Sequence, residues 1–356
     1  VSRPDPLELT VQLTPRARID IVDPRPALSE GQRTALKPFQ RCLFWSSHTT
    51  AGFLERALAA RLTRRQATAG YFNAFRTLFP EGGGYEHDRL EHRTELEPEQ
   101  RLVEPKNADS HLAFIAAGLR TCVSFPNRAA EPVRFVDLDG MHAGQPRQRL
   151  TRIIGYTAEE EVERRRIEVP VSSHPVDSIN LKDPRLGVYE QLTDLIERHQ
   201  ISKGRLRLAL HDGERHAGLT VNEYETLLMR YDLAEVLRNP LRFAAQQARN
   251  ALKDPRSVPL KTLGYAKYDF VRVVNQLVDA LGLHESVVER LFARALAAPA
   301  ARFLGMKRRV DLLISDPQAD GRGTLVEGTY QSPILVQWHR APRQARFLDV
   351  TLTRLR

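Results

Sequence analysis

The sequence predicts an α+β protein made of two related domains, each a mixed β-sheet packed with helices, with a helical insertion in the second. Three observations lead there. A chain of 356 residues is long for one average domain and comfortable for two. Short apolar runs of strand length recur between stretches with helical spacing. The order of those segments repeats along the chain, which is the mark of an internal duplication.

The elements follow in order. Two alternating starts, 7–21 and 167–179, each lead into Asp-Pro-Arg, at Asp23-Pro24-Arg25 and at Asp183-Pro184-Arg185, 160 residues apart. Helix-like segments follow at 29–38 and 188–199. Apolar strand-like runs come next, at 41–46 and 205–210. Ala-Gly then stands at Ala51-Gly52 and at Ala217-Gly218, 166 residues apart. The closing segments, 150–157 and 344–351, are alike at an offset of 194 residues, so the second copy has gained chain after its Ala-Gly. The gain is placed in a helix-rich stretch at 222–304, where Val271, Val274, Leu277 and Leu281, then Val287, Leu291 and Ala295, fall at helical spacing. The domains are read as 1–160 and 161–356, joined near 158–166. Loops are expected at 97–107, at 316–323 and at Asn239-Pro240.

Composition narrows the function. With 42% hydrophobic and 27% charged residues the chain reads as an ordinary globular protein, and no apolar run reaches the length of a membrane span. Its start lacks the apolar core of a secretory signal, and two cysteines build neither a disulfide framework nor a cysteine-rich zinc site. A reducing, cytoplasmic setting is expected. The net charge of +9 favours anionic partners. The basic runs, Arg61 to Arg65 and Arg164 to Arg166, read as solvated, salt-bridged faces. With no aromatic residues interleaved among the arginines, nucleic acid is disfavoured as a partner. Gly82-Gly83-Gly84 is followed by no Lys-Ser/Thr, so it is not a phosphate loop.

Three places concentrate reactive side chains, all in the first half: Ser47-His48-Thr49-Thr50 after a strand, Tyr85-Glu86-His87-Asp88 after the glycine trio, and Asp109-Ser110-His111 ahead of an apolar helix that Asp109 or Ser110 would cap. His48, His87 and His111 could converge as ligands of a divalent metal. Alternatively, His87 beside Asp88 could be an acid/base pair. Exposed loop histidines and a helix cap are the bland alternative. Trp45 and Trp338 read as core or interface residues, and Cys42 as a buried structural thiol. Asp137 and Asp139 share one strand face and read as a solvated edge before a metal site.

Ser-His-Thr-Thr-Ala-Gly, Tyr-Glu-His-Asp and Ser-His before an apolar helix resemble the YjbQ family, whose members are described as having secondary thiamine-phosphate synthase activity. Family members continue the first motif to Thr-x-Asn-Glu and carry a late Gly-Thr-Trp-Gln. Both are missing from the first half, where residues 134–137 stand in the place expected for the late motif. They occur in the second half as Thr220-Val221-Asn222-Glu223 and Gly328-Thr329-Tyr330-Gln331, with tyrosine in place of tryptophan. The second half in turn lacks the histidine motifs; Glu214 stands where the first histidine should. The halves together hold one complete set.

The resemblance implies a tandem duplication of the YjbQ-like domain and a small-molecule enzyme with one composite site. In that site His48, His87 and His111 hold a divalent metal, zinc fitting a histidine-only set, or a phosphate. Glu223 is the general acid/base, with His87 oriented by Asp88. Thr220, Asn222, Gln331 and Tyr330 fix the substrate. The expected chemistry is metal-assisted group transfer, elimination or hydrolysis on a phosphorylated or heteroaromatic substrate. The alternative is a non-catalytic ligand-binding or scaffold protein of the same fold. Single-domain members of the family look like homotrimers, so a homo-oligomer is expected, three chains forming a pseudo-hexamer.

Overall fold

The computed structural model describes residues 4–62, 65–238, 243 and 306–356. The first half opens with β1 (Leu7–Leu13) and β2 (Asp20–Val22). Asp23 then accepts from the Arg25 amide at 3.0 Å and starts a short 3-10 turn. In α1 (Glu30–Leu36), Ser29 and Gln32 form a reciprocal cap. The chain continues through β3 (Arg41–Ser46), β4 (Ala51–Phe53), α2 (Arg56–Arg61), α3 (Arg65–Leu78), α4 (Pro98–Val103) and α5 (Ala108–Ala116). It closes with β5 (Cys122–Pro126), β6 (Phe135–Asp137), a small hairpin of β7 (Met141–His142) and β8 (Gln145–Pro146), and β9 (Arg149–Tyr156).

The second half opens with β10 (Glu159–Pro170) and β11 (Asp177–Asn180). Asp183 accepts from the Arg185 amide at 3.0 Å, repeating the turn at Asp23. Next come α6 (Val188–Arg198), β12 (Gly204–Leu210), β13 (Ala217–Asn222), a π-helical turn at Leu227–Asp232 and α7 (Leu233–Arg238). β14 (Arg309–Ser315), β15 (Thr324–Val326), β16 (Ser332–Gln337) and β17 (Ala345–Leu355) end the chain. The expected helices at 271–296 and the break at Asn239-Pro240 lie outside the described residues.

The chain divides into two compact units, and they cut across the sequence halves. One holds Val1–Ala59, Leu119–Glu223 and Lys307–Arg356; the other holds Ala60–Gly118 and Tyr224–Met306. Each half thus gives its strands to the first unit and its segment between the fourth and fifth major strands to the second.

In the first unit the halves share one strand order. β1-β9-β3-β5 forms the large sheet of one half, and β10-β17-β12-β14 forms that of the other, extended by β15. The small sheets are β2-β6-β4 and β11-β16-β13. Every pairing among the described residues is antiparallel, so the sheets are not mixed as expected. Parallel sheets need both faces covered. Here the end of β10 alternates exposed charged Arg166 and Glu168 with buried apolar Ile167 and Val169, which an antiparallel sheet accommodates.

Two-residue periodicity places the core. Cys42 and Phe44 of β3 point into a cluster with Val11, Phe53, Phe125 and Phe135. Leu43 and Trp45 point the other way, into a cluster with Ile154, Tyr156, Leu313 and Leu355. Both faces of β3 are therefore buried, which is why it reads as a continuous apolar run. Both cysteines are buried and unbridged, and burial pushes the Cys42 thiol up to about 12.

Strand β10 follows β9 directly, and its charges are held by ladder neighbours such as Arg166 on Asp349 at 3.0 Å. Two local expectations fail. Within 97–107 lies helix α4, begun by Pro98 and a reciprocal Glu97–Gln100 cap. Asp137 and Asp139 are not a solvated edge. Both are buried and bind arginines, Arg149 gripping Asp137 at 2.6 and 2.8 Å and Arg147 gripping Asp139. Arginine fits a carboxylate with two parallel bonds, so a strand that looks solvated by composition can be interior.

The second unit is organised around aromatic side chains. Tyr71 meets Phe72 and Phe75 edge-on at 5.2 and 5.1 Å, and its hydroxyl donates to the Ala117 carbonyl at 3.0 Å. Phe79 and Tyr85 meet Phe243 at 6.2 and 6.1 Å. Among the described residues no helix is long and apolar enough to cross a membrane.

Candidate functional site

In the first unit the Ser47–His48–Thr49 turn is gripped by the second-half motifs. Gln331 Nε2 donates to the Ser46 carbonyl at 2.8 Å and the His48 carbonyl at 2.9 Å, while its Oε1 accepts from the Gly328 amide at 3.0 Å. Asn222 Nδ2 donates to the Thr49 carbonyl at 2.9 Å, and Asn222 Oδ1 accepts from the Glu223 amide at 2.9 Å. Gly328 packs so closely that a Cβ there would stand 1.8 Å from the Ser47 carbonyl oxygen, which explains why the motif has glycine.

The Ser47–Thr49 turn of the first half and the second-half motifs thus meet, and the meeting is largely backbone satisfaction. The carboxamides of Asn222 and Gln331 hold carbonyls. Thr220 is buried within β13, opposite Ile334. Tyr330 stands 61% exposed, and Glu223 follows the last residue of β13.

His48 is part of this scaffold. Its Nε2 accepts from the Leu150 amide at 2.8 Å, so the ring proton sits on Nδ1. Burial, with Arg149 and Arg147 adding positive charge, drives its pKa down to about 3. His48 is neutral through the physiological range, and one lone pair already has a partner.

The register also relocates the late motif. Ala51 pairs with Asp137 in one half and Ala217 with Gln337 in the other. Residues 134–137 therefore match 334–337, and Gly328–Gln331 lies one turn earlier, ahead of β16.

In the second unit His87 is fully buried. Its Nδ1 lies 2.9 Å from Asp88 Oδ1, and its Nε2 lies 3.4 Å from Arg93 Nη1. A carboxylate only accepts and a guanidinium only donates, so both neighbours specify the same tautomer: proton on Nδ1, lone pair on Nε2. Asp88 is itself fixed, accepting from the Ala108 amide at 3.1 Å. His111, buried in the first turns of α5, has its ring 5.3 Å from that of His87, and the two offer ligand nitrogens within 4.8 Å. Helix α5 begins at Ala108 with Asn107 as its cap position, so Asp109 and Ser110 lie inside the helix and do not cap it.

One residue here carries no motif. Asp232, in the π-helical turn, accepts from the backbone amides of Glu86 and His87, each at 3.0 Å. Burial pushes its carboxyl up to about 7, against the opposing pull of those two amides. π-turns are frequent at functional positions. The available signal is that Leu228, Asp232 and Val236 follow at four-residue spacing, which puts an acid on a buried stripe. Around His87 the charges are mostly negative: Asp88, Asp109 and Asp232 all act on buried Tyr85, and Arg93 is paired with Glu95 at 2.7 Å and Glu104 at 3.1 Å. Two adjacent imidazoles, one with its far nitrogen held by a carboxylate, form a donor set suited to a late first-row divalent ion.

No family model matches the chain, and no curated protein does. Among solved structures it is similar to a YbjQ-like protein of unknown function from Sulfolobus solfataricus P2, at 17% identity over 55% of this chain and 99% of that one, with a TM-score of 0.29. It is also similar to a hypothetical protein from Aeropyrum pernix K1, at 15% identity over 54% and 98%, TM-score 0.26. A third is an uncharacterized YjbQ/UPF0047-family protein from Clostridium acetobutylicum, at 14% identity over 54% and 99%, TM-score 0.26.

Proposed function

We propose that the chain is a tandemly duplicated YjbQ-like enzyme whose His87 and His111 hold a divalent metal, zinc by ligand type, and that it acts on a phosphorylated or heteroaromatic small molecule. The observation that carries this reading is the His87 tautomer. Asp88 holds Nδ1–H and leaves the Nε2 lone pair for a metal, beside His111 and in surroundings richer in carboxylates than in arginines. A cation taken there would displace the 3.4 Å contact of Arg93 with Nε2.

When bound, the metal would act as a Lewis acid toward a phosphoryl or carbonyl oxygen and lower the pKa of a bound water. Asp88 orients His87, Asp232 fixes the backbone that carries it, and Glu223 is assigned the general acid/base role on its motif. The duplication is supported by the shared strand order and by the matched Asp23–Arg25 and Asp183–Arg185 turns. Assembly of three chains as a pseudo-hexamer belongs to the same proposal.

The test is metal content of the full chain after dialysis against excess zinc. Bound zinc that is lost in His87→Ala and in His111→Ala supports the reading. Zinc uptake unchanged in both variants overturns it. Turnover of phosphate esters by the loaded chain, abolished in Glu223→Gln with zinc retained, would separate the acid/base role from metal binding.

A further inference from the structure

The second half has its own counterpart of the Ser47–Thr50 turn, the segment 213–216 ahead of β13, and its surroundings are chemically opposite to those of His87. It faces the turn between β16 and β17 across a cavity of about 430 Å³. The cavity carries one carboxylate, Glu214, and both its oxygens are engaged: Oε2 with Arg346 Nη1 at 2.9 Å, Oε1 with the Phe347 amide at 2.9 Å. Arg346 is buried and also donates to the carbonyls of Arg215 and His339, at 2.7 and 2.6 Å, which locks both turns in place.

The other charged groups lining the cavity are cations. Arg215, Arg340 and Arg343 are exposed, and among the described residues none of the three has a carboxylate partner. Arg340 is steadied by donation from Nε to the Ser173 carbonyl at 2.7 Å, which leaves its terminal nitrogens for another acceptor. His216 and His339 place their rings 5.1 Å apart at 37° on the same cavity. His216 adopts a φ of 59°, uncommon outside glycine, while its carbonyl accepts from the Trp338 amide at 2.9 Å. Two imidazoles alone would suit a metal, but three unpaired guanidinium groups around them repel one. Guanidinium forks match the oxygens of a phosphate, while the His339 Nδ1–H is already turned to the Arg340 carbonyl at 3.1 Å.

We propose that this cavity binds the phosphate group of a small phosphate-bearing molecule, through Arg215, Arg340 and Arg343 beside the His216 and His339 rings. The site belongs to the first compact unit alone and stands independently of the metal reading at His87.

The experiment is a titration of the full chain with inorganic pyrophosphate at physiological salt, following the imidazole Cε1–H proton resonances assigned through His216→Gln and His339→Gln. Saturable shifts of both resonances are expected. The Arg215→Ala/Arg343→Ala double variant, altered only at exposed positions, should weaken binding at least about tenfold. Three results would each overturn the proposal: no saturable shift, equal affinity in the double variant, or binding of a short RNA without binding of pyrophosphate. Zinc shifting these two resonances in preference to pyrophosphate would do the same.

Discussion

His48 and His87 both lie in histidine motifs of the first half, yet the chain treats them differently. His48 gives its Nε2 to a backbone amide, sits against two arginines and has its pKa pushed down to about 3. His87 is enclosed, and both ring nitrogens face side chains that prescribe its tautomer. A histidine whose lone pair completes a backbone network is a structural acceptor. One whose lone pair faces a displaceable side chain, with a carboxylate behind it, is prepared for chemistry. On the proposed reading, the expected triad of His48, His87 and His111 divides into a scaffold residue and a metal-binding pair.

The contrast can be broken most severely through the glycine behind His48. Gly328→Ala drives a Cβ to 1.8 Å from the Ser47 carbonyl, so one backbone segment must move. A loss of at least about 3 kcal/mol in chemical unfolding is expected, in line with severe overpacking. A loss under about 1 kcal/mol would mean that the turn is loosely held. Gln331→Ala removes two donors to that turn and leaves the Ser46 and His48 carbonyls short of partners; about 1–3 kcal/mol is expected in the same assay.

At His87 the corresponding change is in ligand affinity, not folding. Asp88→Asn keeps the shape but no longer presents a carboxylate to Nδ1–H. Zinc affinity should fall about 10–100-fold by titration calorimetry, as for other ligand-orienting carboxylates. Unchanged affinity would show that Asp88 merely caps α5 through the Ala108 amide.

The smallest effect concerns pH. The folded state keeps His48 neutral down to about pH 3, whereas the unfolded chain protonates it near 6.5. Between those values the unfolded state binds more protons, so stability falls as pH falls through this window. His48→Gln, which retains an acceptor for the Leu150 amide, should flatten the slope of unfolding free energy between pH 6.5 and 4 by up to about 1 kcal/mol per pH unit. An unaltered slope would place the ring in a more solvated setting than its contacts imply.

Much of the fold was legible because it depends on local rules. The repeated Asp-Pro-Arg segments, the helix beginning after Ser29 and the apolar β3 depend on short-range chemistry, and the helix and strand appear where the sequence placed them. The antiparallel pairing was not legible. It joins residues far apart in the chain, such as Glu159 with Leu355. The buried Asp137–Arg149 pair was hidden for the same reason, since its members are 12 residues apart and each alone looks like surface. At the site, the histidines were visible as motifs, but their roles depend on which atom faces each nitrogen. Asp232 lies 145 residues from His87 and carries no motif, so only the folded chain connects them.

Zinc K-edge X-ray absorption on the zinc-loaded full chain, compared with His87→Ala and His48→Gln, tests this division most directly. Two imidazole nitrogens at about 2.0–2.1 Å should appear in the parent chain, persist in His48→Gln and vanish in His87→Ala. A spectrum that His87→Ala leaves intact, or one that His48→Gln abolishes, would contradict the assignment of chemistry to His87 and structure to His48.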